Sequence, residues 1–296
     1  MKQQYVFLST KTGLLFGISL MLGSSNLNAT SPEREYVSIE KQLAHNNIRV
    51  QIFGKGGHEG NCILFNVENL TSDSLFIAIE PGRRLVSEDP SMQDILIVKA
   101  NNFSLPGNEK TKVNGYGFCC MSHNSSPAPN SKFKIGYMAP PDWVALAEFI
   151  NDNNFPESAI QSAVWVFSNN NDVSSICTET AGDAFELKSK VAEMKGIEFP
   201  WYSIKYERED GRLFSGNPKR LYGQIDYYLD QGGIVTVIVR NKKGKIVSKP
   251  VEGIARGPGG YSYGVNLDVR SWPKGEYEVD VYLDNSNLKH KRTFKL

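Results

Sequence analysis

Two short segments carry residue types able to do covalent chemistry. The first, Gly117-Phe-Cys-Cys-Met-Ser-His-Asn124, holds Cys119 and Cys120 side by side. The second, Ala159-Ile-Gln-Ser-Ala-Val-Trp165, holds Gln161 about forty residues later. A thiol held against a carboxamide in a water-poor pocket can displace ammonia and leave an internal thioester, with little other apparatus. Trp165, one turn after Gln161, falls on the same helical face and would shield such a bond. Neighbours on a strand point to opposite faces, so one of Cys119 and Cys120 is expected to face the core and the other not. With Cys62 and Cys177 the chain has four cysteines, which allow three pairings. An adjacent Cys119–Cys120 bridge is strained. A bridge from either one to Cys62 or Cys177 would consume a thiol that the thioester needs.

Other combinations are weaker. Cys120, Met121 and His123, with His58, are soft ligands of the kind copper(I) accepts. Yet the chain has only four His and no HExxH, CxxC or EF-hand pattern, so no metal or cofactor is assigned. Gly260-Tyr-Ser-Tyr-Gly264 matches G-x-S-x-G, with Asp268, Asp280 and His290 following in hydrolase order. A nucleophile elbow needs strand, turn and helix, whereas Tyr261, Tyr263, Val265, Leu267 and Val269 alternate as one strand. Gly54-Lys-Gly-Gly57 lacks a following GK[ST] and reads as a hairpin turn rather than a phosphate cradle. Glu80, Glu88, Asp89 and Asp94 cluster as any exposed loop allows, which gives no glycosidase assignment.

The elements that must hold these residues follow from patterning. From Ile48 to Pro127, segments rich in β-branched and aromatic residues alternate with turn clusters, and further strands are expected at 112–121 and 132–138. Short strands at this spacing point to a β-sandwich. The pattern then becomes helical. Residues 140–153 place Trp143, Leu146, Ala147 and Ile150 on one face, with Pro141 in the first turn. Residues 156–170 place Ile160, Val164 and Phe167 inward. A third helix, Ala184 to Lys195, follows a capping-box-like Thr180 and Asp183 and stops at Gly196. Beyond a linker at 200–214, five strands are expected to 296, with a hairpin turn at Asn241-Lys-Lys-Gly244. The fold class is mainly β with a helical segment. It comprises two β-sandwich domains, residues 30–199 with two or three helices and residues 215–296.

Two resemblances attach to these residues. Phe118-Cys119 with Ile160-Gln161-Ser162-Ala163-Val164 resembles the internal thioester domains of bacterial surface adhesins, over about Gly115 to Phe167. There a cysteine after an aromatic or aliphatic residue meets a glutamine in an apolar-Gln-x-x-apolar motif. The doubled cysteine departs from the single one of that family, and leaves open whether Cys119 or Cys120 would react. From Ser215 to Leu296, Asn217-Pro218, the Lys243-Gly244 turn, Gly275-Glu-Tyr277 and the basic end resemble the Ig-like C-terminal domains of exported Bacteroidetes-type proteins. Those include type IX secretion sorting domains and the FlgD-type Ig-like fold. Of the full Tyr-Pro-Asn-Pro opening of such domains, only Asn217-Pro218 is present. Either way Tyr277, Val279 and Val281 are expected to pack inward, with Lys289 to Arg292 as a solvated end.

Composition fits this picture. The 296 residues carry 33 Lys+Arg against 32 Asp+Glu, with 40% hydrophobic and 22% charged residues, which argues for globular protein and against nucleic-acid binding. Lys2 and Lys11 precede the apolar run Gly13–Gly23, and Leu27 and Ala29 offer a cleavage site, so residues 1–29 read as a secretory signal. Its removal takes the net charge from +1 to about −1. No later run approaches the ~18 apolar residues of a membrane span, so no transmembrane segment is expected in the mature chain. The expectation is a secreted or cell-surface, non-enzymatic binding or adhesion protein carrying a Cys–Gln thioester, with an extracellular protein or glycan as partner. The alternative is a structural or assembly protein whose C-terminal domain serves export or surface attachment, with the export machinery as partner.

Overall fold

A computed structural model describes residues 35–178, 184–207 and 214–296. The expected secretory signal and the Thr180–Asp183 helix start lie outside the described residues. The chain opens with β1 (Val37–Ser38), α1 (Ile39–Ala44), β2 (Ile48–Lys55), β3 (Ile63–Asn69) and β4 (Leu75–Ile79). It continues through β5 (Arg83–Ser87), β6 (Ile95–Ile97), β7 (Asn101–Leu105), β8 (Lys110–Gly115), β9 (Gly117–Cys119) and β10 (Pro129–Met138). Sequence patterning does not mark β5 or β7, which are short and carry charged or amide side chains.

Seven of these strands form one sheet, ordered β8-β3-β2-β10-β5-β6-β9. Its two ends, β8 and β9, are joined by Tyr116 alone. The segment 110–119 therefore starts as the neighbour of β3 and finishes as the neighbour of β6, and the sheet closes on itself. Hydrogen bonds complete the seam, since Gly117 N–H donates to Gly60 O at 2.8 Å and Cys119 N–H to His58 O at 3.0 Å. The GKGG stretch ends β2 with Gly54 and Lys55 and opens the loop of the β2–β3 hairpin with Gly56 and Gly57. A second sheet, β1-β4-β7, shares a core with the first, in which Ile77, Ile79 and Leu105 meet Phe65, Leu85, Ile95 and Ile97. Each such side chain, fully buried, contributes roughly 1.5–3 kcal/mol.

Helices α2 (Pro141–Asp152), α3 (Glu157–Ser168) and α4 (Phe185–Lys195) cover the other side of β6 and β9. Their apolar stripes, including Leu146, Ile150, Ile160, Val164, Leu187 and Val191, bury against Leu96, Phe118 and Cys120. Lys99 Nζ holds the end of α2 by donating to Asn151 O and Asn153 O. Gly196 ends α4 at φ +64, with Ile197 N–H returning to Ala192 O.

The remaining strands are β11 (Tyr202–Tyr206), β12 (Pro218–Leu229), β13 (Gly233–Asn241), β14 (Ile246–Arg256), β15 (Gly259–Asp268), β16 (Glu276–Leu283) and β17 (Asn287–Lys295). They form two sheets, β11-β12-β15 and β14-β13-β16-β17, around a common core that includes Leu221, Ile225, Val265, Val237, Val281 and Phe294. Tyr277, Val279 and Val281 are buried, as expected. The first part of the 200–214 stretch is thus a strand, paired to β12. Residues Tyr36–Leu296 hold together as one compact unit. Among the described residues no helix is long and apolar enough to cross a membrane.

Closure of the seven-stranded sheet demands glycine on both sides of Tyr116. A Cβ at Gly115 would lie 2.7 Å from Phe65 Cε2, and one at Gly117 would overlap Ile95 Cγ2. Gly115→Ala and Gly117→Ala are each expected to cost about 1–3 kcal/mol in urea unfolding. Gly260→Ala, where a Cβ meets nothing within 4 Å, should stay within about 0.5 kcal/mol of the parent.

Candidate functional site

The site forms where α3 crosses the closing strand. β9 is extended, so its side chains alternate, and Phe118 and Cys120 point into the helix-covered core while Cys119 joins the core between the sheets. Both cysteines are buried, which corrects the expectation that only one would face a core. The physical reason is that β9 is covered on both sides, by helices on one and by the β1-β4-β7 layer and its shared core on the other. All four cysteines carry free thiols.

The main-chain groups of β9 not used by β6 point toward α3 and the β2–β3 loop. Gln161 meets them there. Its Nε2 donates to Cys119 O at 2.7 Å, and its Oε1 accepts from Cys119 N–H at 3.1 Å. The carboxamide thus pairs with Cys119 as a peptide group of an extra strand would, sharing the N–H with His58 O. Gln161 is 3% exposed, so both bonds are shielded from water. The sequence singled out Gln161 and Cys119, and the fold brings them together. Cys120 stands apart, beside Arg84 and Asp94, which are themselves paired.

Electrostatics keep these thiols protonated. Burial pushes Cys119 up, and Cys62, Cys120 and Glu59 act in the same direction. Burial also pushes Cys120 up to about 12, opposed in part by Arg84. Cys62 is likewise pushed up to about 12 by burial, and its thiol donates to Gly117 O at 3.3 Å.

Gln161 also lines a cavity of about 320 Å³. Trp165, Phe214 and Tyr206 make its aromatic wall, with Trp165 6.0 Å and Tyr206 4.8 Å from Phe214 between ring centroids. His58, Glu59, Ser158 and Cys177 add polar groups. Trp165 therefore stands beside Gln161 in this cavity, as helical spacing suggests. Composition gave no signal for the part played by residues 58–60, because it is their main chain that completes the seam.

The other candidates separate. Ser262 sits inside β15, in register with Asp226, so 260–264 is strand interior rather than an elbow. Met121 and His123 lie in the turn after β9, and His123 is exposed. Among the described residues no group of three or more His, Cys, Asp or Glu side chains is placed to hold a metal ion.

Replacing Gln161 by Met removes both bonds to Cys119 and leaves the buried Cys119 C=O without its donor, while the N–H keeps His58 O. Gln161→Met is expected to lower unfolding free energy by about 1–3 kcal/mol in urea. The raised thiols also set a pH response. Unfolded thiols lose their protons near 9.0, while folded Cys62 and Cys120 keep theirs to about 12. Their contribution is fully present below pH 9 and is lost as pH rises through that window, so stability falls. A Cys62→Ala/Cys120→Ala variant should show a shallower fall between pH 9 and pH 11 in denaturant titrations, by about one proton-equivalent or more.

No family model matches the chain, and no curated protein matches it. Among solved structures, a β-glucosidase from Kluyveromyces marxianus in complex with glucose is similar at 12% identity and a TM-score of 0.20. The alignment covers 79% of this chain and 44% of that one, so the chain spans less than half of that enzyme's length. A likeness at that score carries no argument for fold or activity.

Proposed function

We propose that this chain is an exported cell-surface or extracellular binding or adhesion protein in which Cys119 and Gln161 form an internal thioester. The architecture in this reading is a secretory signal at 1–29, a β-sandwich with helices at 30–199, and an Ig-like sandwich at 215–296. The observation that carries it is the buried contact of the Gln161 carboxamide with the Cys119 main chain, at 2.7 and 3.1 Å, which sets the carboxamide and the thiol on one residue's two sides. Cys119 Sγ attacks Gln161 Cδ, the S–C bond forms as the C–N bond breaks, and ammonia leaves with the thiol proton. Burial slows hydrolysis of the product. A partner amine or hydroxyl enters through the cavity beside Trp165, takes the acyl group and returns the thiol. The event occurs once per molecule, so the protein is not an enzyme in the turnover sense, and it uses no cofactor. The partner is an extracellular protein or glycan.

A second reading has its own observation. Both ends of the Gln161 carboxamide are already engaged by the Cys119 main chain, and the Cys119 side chain belongs to the core between the sheets. In this reading the pair is a structural lock. The chain is then a structural or assembly protein whose C-terminal domain serves export or surface attachment through the export machinery.

Intact mass separates the two. The thioester makes the exported chain lighter by about 17 Da, one ammonia, and methylamine then restores a free thiol. Cys119→Ala should abolish the loss and Cys120→Ala should leave it. A full mass with all four thiols alkylated after unfolding selects the structural reading.

A further inference from the structure

A second cavity, of about 550 Å³, lies between the first turns of α4 and strands β12 and β15. Its size is that of a small-molecule site. Phe185, Phe199, Trp201 and Val265 give it apolar walls. Phe185, on the first turn of α4, is 60% exposed and lies 5.0 Å from Phe199 between ring centroids. A phenyl ring this open is not there to fill a core.

One cation lines this apolar space. Lys188 is 5% exposed, and its Nζ donates to Tyr202 O and to Ser203 Oγ. Both acceptors are neutral, and the ammonium also sits 5.0 Å from the Phe199 ring centroid. Among the described residues no carboxylate is within ion-pair distance of it. Asp172 pulls on it only from a distance, and Asp172 Oδ1 is used by Ser174 N–H at 2.7 Å. Buried charges are normally paired, because an unpaired one forfeits its hydration. Burial lowers Lys188 to about 8, which still leaves most of it charged at neutral pH.

We propose that this cavity binds an amphipathic organic carboxylate, its apolar body between Phe185 and Trp201 and its anionic head on Lys188. Lys188 supplies the counter-charge, and two neutral hydrogen bonds hold its ammonium in place. The aromatic walls select a flat or slender body. This site is separate from the Cys119–Gln161 pair and does not depend on how that pair behaves.

Calorimetric titration of the full chain with 2-naphthoate and with its neutral amide tests the assignment. Naphthoate is expected to bind at least about tenfold more tightly than the amide, the difference one charge-assisted hydrogen bond makes. Lys188→Met, checked for folding by circular dichroism, should bring the two ligands to equal affinity. Phe185→Ala, at an exposed position that leaves the fold intact, should weaken both. Equal binding of the two ligands to the parent chain overturns the assignment, as does absence of naphthoate binding. Retention of the carboxylate preference in Lys188→Met overturns the role of Lys188.

Discussion

A single ten-residue segment, 110–119, belongs to both ends of the seven-stranded sheet, and the rest of the N-terminal half depends on that constraint. One strand can neighbour β3 and residues 58–60 along one edge and β6 along the other, and so close the sheet. Gly115 and Gly117 permit the close packing at this seam, because any side chain there would strike Phe65 or Ile95. The closed sheet leaves only part of β9 without a strand partner, and residues 58–60 of the β2–β3 loop take up most of that. What remains for outside pairing is the carbonyl of Cys119, beside an N–H that His58 O already accepts from.

Gln161 fills that vacancy, and so adds a polar tie to the apolar packing of α3 on β9. Apolar packing of α3 on β9 fixes distance but not register. A carboxamide paired both ways with one peptide group fixes register as well, since a slip of one residue along the helix would strand both partners. Either reading of the pair uses this property. In the thioester reading it holds the carboxamide at the residue that carries the thiol. As a lock it sets the aromatic cavity beside Trp165.

Buried charge is distributed unevenly over the structure. Arg83, 2% exposed, is answered by Glu40 and Glu80 and by Gly136 O, and so ties α1 and β10 to β5. Arg240 likewise faces buried Asp280. Among the described residues Lys188 has only neutral acceptors, both on β11, and it lines a cavity as well. That contrast marks it out, since the first two cations are explained by the fold alone.

Much of this was legible in the residues. Alternation in 48–55 and 63–69 and in the last eighty residues marked strands, the helical spacing of Leu146, Ile150, Ile160 and Val164 marked helices, and Gly196 marked a stop. The types of Cys119 and Gln161 named the chemistry worth testing. Lys188 was within reach too, because it falls on the same helical face as Val191 and Ala192. What the sequence determined, then, is local: period, turn chemistry and the reactive groups available. Only the tertiary structure decided that 110–119 closes the sheet, that Cys119 and Cys120 enter two different cores, and that Gln161 spends its carboxamide on a main chain rather than on solvent. Those outcomes depend on contacts between distant segments and on backbone groups that every residue carries alike. No residue type announces them.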